Sequence, residues 1–260
     1  MTRRRSGGDS ADLAGRSIAV TGAAGDIGSA VVAMLAARGG RVTAVDSDGA
    51  RLAQMVRAVD APAQVSMVTA DVTDETQVES FVAAAVDHGG GRLDGFFNNA
   101  GVTGPVAALT GLDTDVFERV LRINTVGVFL GLKHALPRMV RGGVVVNSGS
   151  TASLRGAPGL AAYVASKHAV LGLTRVAARE VAGEGIRVCA VCPGPVAGRM
   201  MAGLEQGRAD AGLAGRSVAG LDAGRSAEPD EIANVVTFLL SDAASFVSGS
   251  AVEIDGGRLA

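Results

Sequence analysis

The chain has 260 residues, 48% of them hydrophobic and 19% charged, which is enough to bury one large core and is the ordinary size of a single α/β domain. Its formal net charge of -2 argues against nucleic acid as the main partner, and no apolar run is long enough to span a membrane. Residues 1–14 (MTRRRSGGDSADLA) carry three arginines with no apolar stretch behind them, so they are expected to be a disordered leader rather than a signal peptide, and the protein to be cytoplasmic.

In chain order, the apolar run SIAV leads into Thr21–Gly28, TGAAGDIG, and then into the helical pattern AVVAMLAARGG. Glycines in such a turn let the backbone approach a phosphate while the following helix offers its N–H groups, although similar turns also arise from packing alone. The second strand, RVTAVD, ends at Asp46, where a carboxylate either accepts hydrogen bonds from ribose hydroxyls or simply forms a turn. Next come a strand at QVSMVTAD, a helix at ETQVESFVAAAVDHGG and a strand at LDGFFNNAG. Helices are expected over 112–139 and 160–183, on either side of the strand GVVVNSGS. The strand IRVCAVCPG, the helix PDEIANVVTFLLSDAAS and the strand SAVEIDGG close the chain. Residues 197–226 are rich in Gly, Ala and Arg and show no firm period, which suits a partly mobile segment beside a site. Apolar strands without polar alternation belong to a parallel sheet covered on both faces. With right-handed crossovers this gives an α/β doubly wound sheet, a Rossmann fold, as one domain over 15–260.

Several side chains are candidates for chemistry. Cys189 and Cys192 form a CxxC, but on a strand residues three apart point to opposite faces, so neither a redox nor a metal role is expected. His88 and His134 lack companions at ligand spacing, and His168 reads as a surface or interface residue. Tyr163 is the only tyrosine, and Lys167 follows it by one helical turn in YVASK. An ammonium beside a phenol favours the phenolate, which would make Tyr163 a proton carrier at neutral pH. An exposed tyrosine over a solvated lysine is the plain alternative. The scarcity of both residue types, and their place between the fifth and sixth strands, favours the chemical reading.

Together with these features, Asp71-Val72, Asn98-Asn99-Ala100-Gly101, Asn124 in RINTVG, Ser150 in NSGS, Cys192-Pro193-Gly194-Pro195-Val196 and the terminal SDAASFVSGSAVEIDGG follow in a specific order. From about Ser17 to Gly257 the chain resembles the short-chain dehydrogenase/reductase family. Length and downstream motifs match the short form, although TGAAGDIG literally fits the glycine pattern of extended members, and Asp26 stands where the short form carries glycine. Asp26 is expected to cap the helix over 27–38 and turn away from the phosphate, at some cost in repulsion.

The resemblance implies an NAD-dependent oxidoreductase that interconverts a secondary alcohol and a ketone. In that scheme Tyr163 exchanges the proton, and Lys167 holds the nicotinamide ribose and lowers the tyrosine pKa. Ser150 orients the substrate oxygen, and Asn124 supports a water that links Lys167 to solvent. The implied cofactor contacts are Thr21, Gly22, Gly25, Asp26, Ile27, Gly28, Asp46, Asp71, Val72, Asn98, Ala100, Gly101, Tyr163, Lys167, Pro193, Gly194 and Val196. Gly198 stands where relatives often place a threonine, so Arg199, Ser217 or a backbone group would have to replace that contact. The expected substrate wall of Thr103, Ala152, Leu154, Arg155 and Pro158 suits an uncharged alcohol or ketone, with Arg155, Arg199 or Arg208 in reserve for a carboxylate. A homotetramer is implied as well, with no nucleic acid, no membrane and no metal. Two other readings stay open. One is an NADPH-dependent reductase of carrier-bound 3-oxoacyl chains, which Asp46 disfavours; the other is a dinucleotide-binding regulator without turnover, against which Tyr163 and Lys167 both speak.

Overall fold

The structure, a computed structural model, describes residues 13–212 and 224–260. Seven parallel strands form one sheet in the order β3-β2-β1-β4-β5-β6-β7, comprising β1 (Ser17–Thr21), β2 (Arg41–Asp46), β3 (Val65–Thr69), β4 (Gly95–Asn98), β5 (Val144–Ser148), β6 (Arg187–Pro193) and β7 (Ala251–Ile254). The helices are α1 (Asp26–Ala37), α2 (Gly49–Arg57), α3 (Glu75–His88), α4 (Thr114–Leu121), α5 (Gly127–Ala135), α6 (Ala161–Glu180), α7 (Arg199–Asp210) and α8 (Pro229–Leu240).

Strand alternation sorts side chains onto two faces of the sheet. Ile18, Val20, Phe97, Val144 and Val146 pack under α1 and α8, whereas Ala19, Phe96 and Val145 pack under α3, α5 and α6. Both faces are apolar, which is why these strands lack polar alternation. Local signals set the helix starts. Asp48 accepts from the Arg51 N–H at the head of α2, Asp74 accepts from the Thr76 and Gln77 N–H groups at the head of α3, and Pro229 opens α8. The strand order reverses between β1 and β4, and there the Thr21 Oγ1 accepts from the Asn99 N–H (2.9 Å) and the Ala100 N–H (3.2 Å). In such sheets this crevice, beyond the carboxyl ends of the strands, receives ligands.

Two expectations need correction. The helix foreseen over 112–139 is α4 and α5 joined through a π-helical segment, Arg122–Val126, with a 3-10 turn, Leu136–Arg138, at its end. The segment 197–226 is not uniformly irregular, because α7 occupies Arg199–Asp210. Residues 213–223 of that segment, like residues 1–12 of the expected leader, lie outside the described residues. Among the described residues no helix is long and apolar enough to cross a membrane.

Candidate active site

A cleft of about 1000 Å³ runs along the carboxyl ends of the strands, from Asp46 past the glycine turn to Tyr163. That is room for a dinucleotide and a small second ligand. At one end Asp46 accepts from the Ala24 N–H (2.9 Å) and the Asp48 N–H (3.0 Å), which ties the end of β2 to the glycine turn. The turn closes through the Gly25 N–H on the Gly22 carbonyl at 3.0 Å, and a Cβ at Gly28 would overlap that same carbonyl oxygen. The head of α1 has no side-chain cap, so its dipole and first N–H groups face the cleft without a side-chain acceptor. This fits a pyrophosphate. Asp71 and Val72 line the next stretch, with Asp71 accepting from the Thr73 N–H at 2.8 Å, and Ala100 and Gly101 follow.

Two residues expected at the cofactor do not line the cleft. Thr21 is fully buried and braces the β1–β4 junction, and the buried Asn98 amide donates to the Val128 carbonyl of α5 at 3.0 Å. Asn99, one residue on, lines the cleft and donates to the Thr21 carbonyl (3.0 Å).

At the other end Ser150, Tyr163 and Lys167 line the cleft together with Pro193, Gly194 and Val196. A 3-10 turn, Thr151–Ser153, follows β5 and fixes Ser150, whose Oγ accepts from the Ala152 N–H at 3.1 Å. One helical turn separates Tyr163 from Lys167 on α6, placing Nζ 5.7 Å from the phenol ring centroid. Lys167 is 4% exposed and donates to the Ser148 carbonyl at 2.6 Å. Burial drives its pKa down to about 8. Burial also raises the Tyr163 phenol above its ordinary value, with the Ser150 hydroxyl opposing part of that rise. This corrects the expected lowering by Lys167. The ammonium faces the ring and is itself desolvated, so burial outweighs its attraction for the phenolate.

Asn124 sits at the centre of the π-helical segment, fully buried. Its amide accepts from the Val102 N–H and donates to the Val102 carbonyl, both at 2.8 Å, and donates to Ser166 Oγ at 2.9 Å. It therefore clamps the loop after β4 to α6.

Asp26 behaves differently from the expectation. Gly25 is the N-cap and Asp26 the first residue of α1, and the Asp26 carboxylate reaches across the cleft to α7. It accepts from the Arg199 N–H (2.8 Å) and Nε (3.2 Å), while the Arg199 Nη2 donates to the Ala24 carbonyl at 2.6 Å. Gly198 has φ +140°, and a Cβ there would overlap Asp26 Oδ2. The two departures from the family pattern, Asp26 and Gly198, thus form one contact. Ser217, the other suggested replacement for the missing threonine, lies outside the described residues.

On the substrate side Thr103, Ala152 and Arg155 line the cleft as expected, but Leu154 and Pro158 do not and are exposed. Of the stretch 197–226 expected beside the site, Met200, Met201 and Leu204 of α7 line the cleft, and sequence reasoning missed Arg258 after β7. The four-residue spacing of Met200, Leu204 and Arg208 was a legible helical signal for one of these faces. The histidines stand elsewhere: His134 meets Glu75 at 3.0 Å, His88 lies 3.4 Å from Thr43, and the exposed His168 faces the Val164 carbonyl. Cys189 and Cys192 belong to clusters on opposite faces of the sheet. Among the described residues no group of three His, Cys, Asp or Glu side chains could hold a metal ion.

Residues 22–258 match the family model described as enoyl-(acyl carrier protein) reductase. The chain is similar to levodione reductase of Leifsonia aquatica, at 39% identity over 94% of each protein. It is 38% identical to a 2,5-dichloro-2,5-cyclohexadiene-1,4-diol dehydrogenase of Sphingobium indicum, covering 95% of this chain and 98% of that protein. Among solved structures, NAD+-bound xylitol dehydrogenase superposes with a TM-score of 0.89 at 33% identity, over 94% of this chain and 99% of the other.

Proposed function

This chain belongs to the short-chain dehydrogenase/reductase family, in its short form, and from that premise we propose that it interconverts a secondary alcohol and a ketone with NAD(H). The observation that carries this reading is the convergence of Ser150, Tyr163 and Lys167 at one end of a cleft whose other end presents a glycine turn and the Asp46 carboxylate. The oxidoreductase names of the relatives, and the NAD+ in the xylitol dehydrogenase structure, support it.

A nicotinamide dinucleotide bound in this cleft supplies or accepts the hydride. Gly22, Gly25, Ile27 and Gly28, with the head of α1, would hold its pyrophosphate, and Asp46 would accept its adenosine ribose hydroxyls. Asp71, Val72, Ala100 and Gly101 would line the adenosine, and Pro193, Gly194 and Val196 would shape the nicotinamide end. Lys167 would hold the second ribose. Tyr163 delivers a proton to the carbonyl oxygen in reduction and removes it from the alcohol in oxidation, and Ser150 donates a hydrogen bond to the same oxygen as its charge changes. The raised phenol pKa keeps Tyr163 protonated at neutral pH, which suits the donor role. Asn124 acts by position, since its amide holds the Val102 loop and α6 together beside Lys167.

One observation speaks for NADPH instead: Arg51 also lines the adenosine end, where it could meet a 2′-phosphate. Its Nε is engaged by Asp48 at 3.3 Å, however, and the Asp46 carboxylate would repel that phosphate. Fluorescence titration with NADH and NADPH, followed by turnover on secondary alcohols and ketones, tests the reading. We expect NADH to bind roughly tenfold tighter or more, which corresponds to one unfavourable charge contact. Equal affinity would move the assignment to NADP, and binding without turnover on a broad panel would favour a regulator.

A further inference from the structure

Helix α7 has weak local reasons to exist. It is twelve residues long, near the length at which an isolated helix is marginal in water, and Gly203 and Gly207 lower its propensity further. None of its residues is fully buried, so it does not draw on the core. Its N-cap is Gly198, which has no side chain to bind the N–H groups that a helix leaves unpaired at its start.

The missing cap comes from another element. The Arg199 N–H, at the first position of the helix, donates to Asp26 Oδ2 at 2.8 Å, and a carboxylate there also faces the positive end of the helix dipole. Arg199 Nε donates to the other oxygen, Asp26 Oδ1, at 3.2 Å, and its Nη2 donates to the Ala24 carbonyl at 2.6 Å. The approach is possible because Gly198 presents no Cβ at the Asp26 carboxylate. Toward the other end of α7, a Cβ on Gly207 would stand 3.0 Å from Val106 Cγ2, so the helix also rests on the loop after β4. Between these two supports Met201 and Leu204, half-buried on one side of α7, line the cleft.

We infer that Asp26 is the helix cap of α7 and a positioning residue for the substrate, setting the wall of Met201 and Leu204 against the turn that holds the cofactor. That this wall receives substrate rests on the oxidoreductase reading; the cap does not. One carboxylate thereby belongs to two sites. It stands in the glycine turn, yet its oxygens are turned to α7, so the position of the apolar wall is indexed to the place where the dinucleotide lies.

The test compares the wild type with Asp26→Ala and Asp26→Asn, each as the full chain with NADH bound, and with Asp26→Gly should Asp26→Ala fold poorly. Asn accepts at a helix start as well as Asp does, whereas Ala cannot. In Asp26→Ala the amides of α7 should exchange hydrogen roughly fivefold faster or more, the factor to which a lost helix cap corresponds, while those of β1 stay unchanged. Turnover is followed with whichever of cyclohexanone, 2-octanone and acetophenone reacts best. Its KM should rise in Asp26→Ala by a similar factor and kcat should fall by less. NADH affinity should not fall, because removing a carboxylate from a pyrophosphate turn relieves repulsion. Asp26→Asn should bring both α7 exchange and KM back toward the wild type. Unchanged α7 exchange in Asp26→Ala overturns the cap. Faster exchange with unchanged KM, or Asn behaving like Ala, overturns the positioning role. Absence of turnover with all three ketones in the wild type counts against the oxidoreductase reading instead, and α7 exchange then decides the cap by itself.

Discussion

Lys167 shows at the scale of one side chain how burial sets the chemistry. In the unfolded chain its amine titrates at the ordinary 10.5, and in the fold at about 8, because the ammonium loses its hydration. A pKa depressed by folding contributes stability that is fully present above pH 10.5 and is lost as pH falls to 8. Below pH 8 the fold therefore carries a buried charge. Lys167→Met removes that charge, so its melting temperature relative to the wild type should be highest near pH 7 and should decline as pH rises from 8 toward 10. Thermal melts of both proteins across that range check it, and a difference independent of pH would contradict it. The pairing of Tyr163 with Lys167 was legible in YVASK, since helical spacing is a local property. The direction of the tyrosine shift was not, because it follows from how the folded chain packs around the phenol at the Ser150 end of the cleft.

Among the elements, the head of α1 and the head of α7 are joined by the Asp26–Arg199 pair over the bare Cα of Gly198. The Asp26 and Arg199 side chains are 30% and 50% exposed, so this pair alone is worth no more than about 1 kcal/mol. Asp26→Gly should accordingly leave the fold intact. Gly198→Thr should be harmful in the wild-type background, both because its Cβ would overlap the Asp26 carboxylate and because φ +140° strains any L side chain. Combined with Asp26→Gly it should cost less than the sum of the two, with a coupling of about 1 kcal/mol or more. Urea melts of the four proteins measure this, and additive effects would refute the contact. Each departure was visible in the sequence by itself. Their connection was not, since it spans the cleft between residues far apart in the chain. Helix α7 was read as irregular because Gly203 and Gly207 interrupt it, and the π-helical segment at Arg122–Val126 differs from an α-helix by a single hydrogen-bond step that periodicity does not resolve.

Over the whole molecule, the parallel sheet was legible because apolar residues fill both faces of its strands. What covers the outer helices was not. Phe129 of α5 and Val176 of α6 are 46% and 55% exposed on one side of the sheet, and Phe238 of α8 and Phe246 before β7 are 45% and fully exposed elsewhere. Exposed apolar side chains on both sides suit two two-fold contacts, and we propose a tetramer. Light scattering should report a tetramer for the wild type and a dimer for Phe129→Glu combined with Val176→Glu; a wild-type monomer at micromolar concentration would refute it. The central claim is that this molecule is an oxidoreductase whose proton passes through Tyr163. Its most direct test is Tyr163→Phe, assayed for turnover and for NADH binding in parallel, since the change keeps the ring and removes the ionisable atom. We predict that folding and NADH affinity survive while turnover falls by roughly 10²-fold or more. Near-normal turnover would contradict the claim, because another group would then carry the proton.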